Sequence, residues 1–309
     1  MRVATVHLRA TDAAGPTLRE AVLAFCDTLA SPGTRRVYAG TLQALLARWG
    51  PGTPLAALAE ASTAAPVTAW FLERWGGRAP ATFNRHLDAL RSAIGYWQTQ
   101  DWLARDPTRL LRRRRPPHDR TRAVSRAELE QLLTRVDLPL REKALWRLLY
   151  ETAARAGEVL ALDVADLDVR NRRAKVRRKG GAVDTIVWQT GTARLLPRLL
   201  HGRRSGPVFL TARRARLPLA ASDLDPVSGQ ARLSYRRAAE LFAQYTSGWT
   251  LHQLRHSALT HAAEAGANTA TLLAYSGHTS VASLARYARV SPDALARWQA
   301  SRDPLTRRR

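Results

Sequence analysis

The chain has 309 residues, 45% of them hydrophobic, with 49 Lys or Arg against 25 Asp or Glu and a formal net charge of +24. That length suffices for two ordinary domains, each with its own core, and the single cysteine, Cys26, excludes an internal disulfide framework and a cysteine-rich zinc site. Only Lys143, Lys175 and Lys179 are lysines, and such a preference for guanidinium groups points to a phosphate-rich partner, a nucleic acid. A high-GC codon bias explains Arg over Lys but not the excess of base over acid. No apolar run approaches the roughly 20 residues of a membrane span, and the N-terminus lacks a basic-then-apolar signal pattern. A soluble cytoplasmic protein is expected.

Residues 1–16 show no clear period and read as an arm. Thr17 with Glu20 forms a capping-box pattern that opens a first helix, in which Cys26 is expected as a small buried residue. A second helix is predicted over Thr34–Trp49, with Val37, Leu42, Leu45, Leu46 and Trp49 near one stripe and Gly50-Pro51-Gly52 ending it. A third covers Pro66–Trp75. A fourth covers Arg85–Gln100, with Leu87, Leu90, Ile94 and Trp97 as its apolar face. Residues 17–111 thus read as an all-helical domain. Residues 112–122 hold Arg112, Arg113, Arg114 and Arg115 followed by two prolines, a cluster that will not pack into a core and reads as a linker.

Residues 123–309 form the second predicted domain. Ser125 and Glu128 repeat the capping-box pattern, and helices follow over Ser125–Arg135 and Leu140–Ala153. Arg173–Arg178 and Val183–Trp188 flank Lys179-Gly180-Gly181-Ala182 and read as a β-hairpin. Further helices are expected at about 190–200, 230–245, 253–265, 268–275, 280–288 and 291–301, with His201–Asp225 Arg-rich and irregular. The fold class is mainly α with one small antiparallel β-sheet.

The stretch Leu251–Val290 carries His252, Arg255, His278 and Tyr287. His252 and Arg255 stand three apart and share a helix face. Cutting a phosphodiester with a protein nucleophile needs cations where charge grows on the phosphate oxygens, a hydroxyl that can lose its proton, and an acid for the leaving oxygen. Those parts occur in the order Arg155, Lys179, His252, Arg255, His278, Tyr287.

In these residues the chain resembles the tyrosine recombinase (phage integrase) family, notably its Xer-like simple recombinases. The matching pieces are Arg155-x-Gly157-Glu158 with Leu160 and Leu162, the Lys179 hairpin, His252-x-Leu254-Arg255-His256, Gly277-His278, and Tyr287 nine residues on. The resemblance covers about residues 17–301. Upstream, Ala81-Thr82-Phe83-Asn84-Arg85-His86-Leu87 and Asp106-Pro107 are similar to the family's helical core-DNA-binding domain.

The resemblance implies a two-domain clamp on double-stranded DNA and a homo-tetramer acting on two recombination sites through a Holliday junction. Arg155 and Arg255 clamp the scissile phosphate. Tyr287 attacks phosphorus and forms a 3′-phosphotyrosyl bond, and Lys179 protonates the leaving 5′ oxygen. His252 shuttles the tyrosine proton or bonds the phosphate, and His278 donates to a phosphate oxygen. Glu158 supports Arg155 from behind, and no metal or other cofactor is called for; His256, read from the residues themselves, is assigned to packing or to support behind the site. Arg85 and Arg112–Arg115 are candidates for contacting the DNA backbone. Lys175 competes with Lys179, but sits inside a strand; Tyr275 competes with Tyr287, but lies on the apolar side with Leu272.

Two departures stand out. Arg178-Lys179-Gly180 replaces the commoner Gly-Lys-Gly, which leaves the lysine register open. Tyr275-Ser276 precedes Gly277-His278 where the family often has Leu, a change expected to alter packing alone. The C-terminal segment Ser291–Arg309 has Leu295 and Trp298 on one stripe, and in the family such a helix docks on a neighbouring subunit; folding back on its own domain is the other reading. The alternatives in function are a DNA-binding protein without strand exchange and a type IB topoisomerase-like relaxing activity.

Overall fold

A computed structural model describes residues 15–115, 123–178, 181–284 and 292–300 of the chain. It divides into two compact units, residues 1–119 and 120–309.

The first unit is helical. Helix α1 (Leu18–Thr28) starts at Thr17, whose backbone N–H donates to Glu20 Oε2 at 2.9 Å while the Glu20 N–H reaches the Thr17 hydroxyl. Such a reciprocal cap satisfies two orphan donors and contributes about 1 kcal/mol. Helix α2 (Pro32–Trp49) begins two residues before the expected Thr34, because Ser31 caps it and Pro32 occupies the first turn, where no N–H is needed. Helix α3 (Ala64–Trp75) and helix α4 (Pro80–Thr99) also start earlier than their apolar stripes. Leu87, Leu90, Ile94 and Trp97 of α4 are all buried, against Leu18, Leu42, Leu45 and Phe71. The Trp97 indole N–H donates to the Ala21 carbonyl at 2.9 Å, which satisfies the one polar atom that this ring carries into the core. Cys26 is half-buried at the edge of this core rather than inside it.

Arg112–Arg115 do not behave as a free linker. The Asn84 side chain brackets Arg114, accepting from its N–H at 2.8 Å and donating to its carbonyl at 2.7 Å. The Arg114 guanidinium lies 3.9 Å from the Phe83 ring centre and donates to the Gly76 carbonyl. Arg113 pairs with Asp88. The charge cluster is thus tied to α4 by its backbone and one stacked guanidinium, an option that composition does not reveal. The rest of the expected linker, from Pro116, lies outside the described residues.

In the second unit, helix α5 (Arg126–Thr134) is capped by Ser125 and Glu128. Helix α6 (Leu140–Thr152) runs through the core, with Trp146, Leu148 and Leu149 almost fully buried. It packs against helix α8 (Thr190–Leu200) and helix α10 (Leu251–Glu264). Between α6 and α8 in the chain come helix α7 (Ala156–Leu160) and an antiparallel sheet, β1 (Leu167–Asp168), β2 (Arg173–Arg177) and β3 (Val183–Val187), in the order β1-β2-β3. Lys175 faces Thr185 in this ladder, and Ala174, Val176 and Ile186 turn inward.

A second sheet departs from the expected single one. Strands β4 (Leu210–Arg214) and β5 (Gln230–Arg232) pair across the segment read as irregular. β4 is half-exposed to exposed throughout, and β5 buries only its central Ala231, a pattern too short to mark a strand. Helix α9 (Tyr235–Tyr245) therefore starts later than residue 230, at the Ser234 cap. Helix α11 (Thr269–Ser276) follows α10. Of the helix expected at 280–288, the described part, Val281–Leu284, is a 3-10 turn and the rest lies outside the described residues; helix α12 (Pro292–Ala300) closes the described chain. No helix among the described residues is long and apolar enough to cross a membrane.

Candidate active site

Helix α10 presents His252 to solvent and turns Arg255 and His256 inward. Arg255 is only 2% exposed. It donates to the Ala153 carbonyl and, at 2.8 Å, to the Ser276 carbonyl. Ala153 caps the C-terminus of α6 and Ser276 ends α11, so the guanidinium sits between the negative ends of two helices. Ala153 adopts a left-handed conformation (φ 49°), which aims its carbonyl at Arg255.

His278 follows directly. Its Nε2 lies 3.2 Å from Nη2 of Arg255, and its Nδ1 lies 2.8 Å from the Ser276 hydroxyl. A guanidinium only donates, so Nε2 accepts and the neutral ring carries its proton on Nδ1. Ser276 Oγ receives that proton's hydrogen bond and the His278 backbone N–H at 3.2 Å, and donates to the Leu273 carbonyl at 3.2 Å. Ser276 is therefore part of the site, which corrects the expectation that it alters packing alone.

Arg155 caps α7 just after Ala153-Ala154. Its guanidinium donates to Glu158 Oε1 at 2.8 Å and remains 40% exposed. Glu158 is buried, and its other oxygen accepts from Arg178 at 2.6 Å. Arg178 was not singled out from the sequence as a functional residue; the only signal was the missing glycine before Lys179. Arg155, Arg178, Asp184, Gly277, His278 and Thr279 line one cavity of about 680 Å³.

Lys179 and Tyr287 lie outside the described residues. The backbone around Lys179 is closed by Arg178 N–H to Ala182 O at 2.7 Å and Gly181 N–H to Arg178 O at 3.0 Å. Lys175 stays within β2, opposite Thr185. Tyr275 donates its hydroxyl proton to the Tyr150 and Glu151 carbonyls at 3.1 and 3.0 Å, and burial pushes its pKa strongly upward, with Tyr150 and Glu151 adding to the effect. That phenol is held as a donor, the opposite of what a nucleophile needs. His256 is buried, with Nδ1 3.4 Å from the Thr260 hydroxyl. In the first unit Arg85, Arg112, Arg113 and Arg115 are exposed and Arg114 is half-buried. Among the described residues no group of three or more His, Cys, Asp or Glu is arranged to hold a metal ion.

The site thus gathers two arginines and a histidine from segments about a hundred residues apart. A model of the phage integrase family matches residues 122–293. The chain belongs to this family. It is a tyrosine-type site-specific recombinase by that membership. The tyrosine recombinase XerC of Mycobacterium bovis (strain BCG / Pasteur 1173P2) is 31% identical over 284 residues, covering 84% of this chain and 88% of that protein. The match to the tyrosine recombinase XerD of Mycobacterium leprae (strain TN) is 35% over 170 residues, so there the chain spans about half the relative's length, 51% of each. Among solved structures, a lambda integrase tetramer bound to a Holliday junction shares the recombinase fold, with a TM-score of 0.67 at 14% identity over 93% of this chain and 84% of that one. The Tn1549 transposon integrase in complex with transposon right end DNA gives a TM-score of 0.63 at 17% identity over 93% and 99%.

Proposed function

We propose that this protein recombines double-stranded DNA at specific sites by cleaving and rejoining strands through a 3′-phosphotyrosyl intermediate. The observation that carries this reading is the joining of Arg255 to His278 beside a cavity that Arg155 also lines. A phosphodiester placed there meets fixed donors that are already oriented, so little reorganisation accompanies charge growth on its oxygens.

In this reading the Tyr287 oxygen attacks phosphorus as the bond to the 5′ oxygen breaks. The phenolic proton leaves by way of His252. Lys179 gives a proton to the departing 5′ oxygen, a task for which an ammonium is suited and a guanidinium is not. Arg155 and Arg255 hold the nonbridging oxygens, with Glu158 and His256 fixing the cations from behind. His278 takes up a proton on Nε2, becoming an imidazolium, as its Arg255 contact gives way, and then donates from Nε2 to a phosphate oxygen while Nδ1 stays on Ser276. The reverse attack by a 5′ hydroxyl restores the phosphodiester. The bond energy is conserved in the phosphotyrosine, so no nucleotide or metal cofactor is needed.

Strand exchange of this kind takes four copies on two sites, joined through a Holliday junction. Helix α12, with Leu295 and Trp298 half-exposed, is the segment proposed to link neighbouring copies. Arg85, Arg112 and Arg115, all exposed, are the proposed backbone contacts of the first unit. Arg114 spends its guanidinium on Phe83 and Gly76 and acts there as an anchor.

The test uses duplexes that the purified protein selects from a random-sequence pool, nicked beside the cleaved phosphate so that the short strand is lost. A covalent protein–DNA adduct is expected with the unaltered protein and not with Tyr287→Phe. An adduct that persists in Tyr287→Phe rejects the nucleophile. Relaxation of supercoils on any sequence, without selection of a site, favours a topoisomerase-like activity instead.

A further inference from the structure

Among the described residues of the hairpin, Arg178 is the most deeply buried cation. Its side chain is 7% exposed, and a charge so placed must be paired. It has two partners on different elements: Glu158 Oε2 of α7 at 2.6 Å, and Asp184 Oδ2 of β3 at 3.0 Å from Nε and 2.9 Å from Nη2. The last ladder pair of the hairpin is Arg177 with Val183, so Arg178, one residue beyond it, reaches back diagonally to Asp184, the ladder partner of Val176. The next residue in the chain is Lys179.

The same guanidinium also fills the space under Gly277. A Cβ on Gly277 would stand 2.4 Å from Arg178 Cζ, and Gly277 holds a left-handed conformation (φ 61°) that suits glycine. His278 follows immediately. Arg178 therefore touches, directly or through one carboxylate, the segments carrying Arg155, Lys179 and His278. Burying an ion pair contributes little net stability, and a well-packed apolar residue is often at least as stable. What the buried Glu158 and the half-exposed Asp184 supply together is a defined position for the guanidinium.

We propose that Arg178 is a positioning residue for strand cleavage, holding the turn that carries Lys179 in fixed register with Arg155 through Glu158 and Asp184. This rests on the recombinase reading above, and specifically on Lys179 as the proton donor. The arginine stands where the family commonly has glycine, so the tether belongs to this chain's own solution of the site.

The test separates a tether from a mere filler. The double variant Arg178→Gln/Asp184→Asn removes one positive and one negative charge together, so the local charge sum is kept while the tether is lost. Single-turnover cleavage of the selected nicked duplex is expected to slow at least tenfold, with DNA affinity unchanged. On the same duplex with a 5′-bridging sulfur at the cleaved phosphate, the leaving group departs as a thiolate and needs no proton. There the double variant is expected to come within about threefold of the unaltered protein, the same recovery as Lys179→Ala.

Should the double variant fold poorly in a thermal melt, Asp184→Asn alone gives a smaller loss with the same sulfur recovery. Unchanged cleavage, or an equal loss on oxygen and sulfur substrates, overturns the proposal while leaving the recombinase reading intact. Absence of any adduct from the unaltered protein, or cleavage by Lys179→Ala at the normal rate, removes the reading itself and the proposal with it.

Discussion

Arg255 Nη2 stands 3.2 Å from Nε2 of His278, and the direction of that hydrogen bond assigns the histidine's proton to Nδ1. The cation and the ring are thereby oriented as one unit before any substrate arrives. Replacing Arg255 by Gln removes a buried charge that meets the Ala153 and Ser276 carbonyls and His278. Cleavage should fall by about 10²–10³-fold, the order seen when a fixed transition-state donor is lost. Stability should fall by roughly 2–3 kcal/mol as charge-assisted bonds disappear. Single-turnover cleavage and a denaturant melt read the two effects separately.

Ser276 is the next test. Its hydroxyl accepts from both the ring and the backbone of His278. Ser276→Ala leaves the carbonyl that meets Arg255 in place but frees the ring. Cleavage should drop about tenfold, equivalent to ~1.4 kcal/mol, with unchanged affinity for the selected duplex. An unchanged rate would show that the orientation of His278 does not matter to the reaction.

Two glycines at helix C-caps should respond differently to alanine. Gly277 has φ 61° and Arg178 Cζ 2.4 Å from a new Cβ, whereas Gly50 has φ 88° and its nearest neighbour is Thr53 Oγ1 at 3.6 Å. Gly50→Ala should cost about 1–3 kcal/mol from backbone strain alone, since φ 88° with ψ 141° is a combination that glycine adopts and alanine resists. Gly277→Ala adds an overlap that moves Arg178, and should cost roughly 1–3 kcal/mol more. Paired thermal melts give the comparison.

Stability should also depend on pH through His86 and His261. Burial lowers the pKa of both below 6.5, with Arg85, Arg74 and Arg78 adding to the effect on His86 and Arg126 on His261. A depressed histidine pKa means that the unfolded chain binds protons first as pH falls. The contribution is fully present above about 6.5 and is lost as pH drops through the folded values. The melting temperature should therefore fall between pH 7.5 and pH 5, and less steeply in His86→Gln and His261→Gln. His261→Gln also breaks the 2.8 Å contact with the Tyr150 hydroxyl, so the slope with pH, not the absolute melting temperature, is the measure.

Much of this protein follows from its residues alone. The capping pairs Thr17–Glu20 and Ser125–Glu128, the stripe of α4 and the order of the candidate groups from Arg155 to Tyr287 are all local patterns. Each is set by helical or strand periodicity, by a side chain bonding its own turn, or by chain order. These suffice for a mainly helical fold and for family membership.

The tertiary structure decided what local pattern cannot. Arg255 is buried because two helix ends, at Ala153 and Ser276, bring their carbonyls to it from 102 and 21 residues away. Arg178 is buried because Glu158 and Asp184 converge on it, and Tyr275 is held as a donor because α6 ends above its hydroxyl. The second sheet, β4–β5, pairs an exposed strand with one of only three residues, too little apolar alternation to read from the chain alone. A charged side chain reads as exposed in any sequence, since burying it costs free energy unless distant partners arrive in the right geometry, and only the folded chain brings them together.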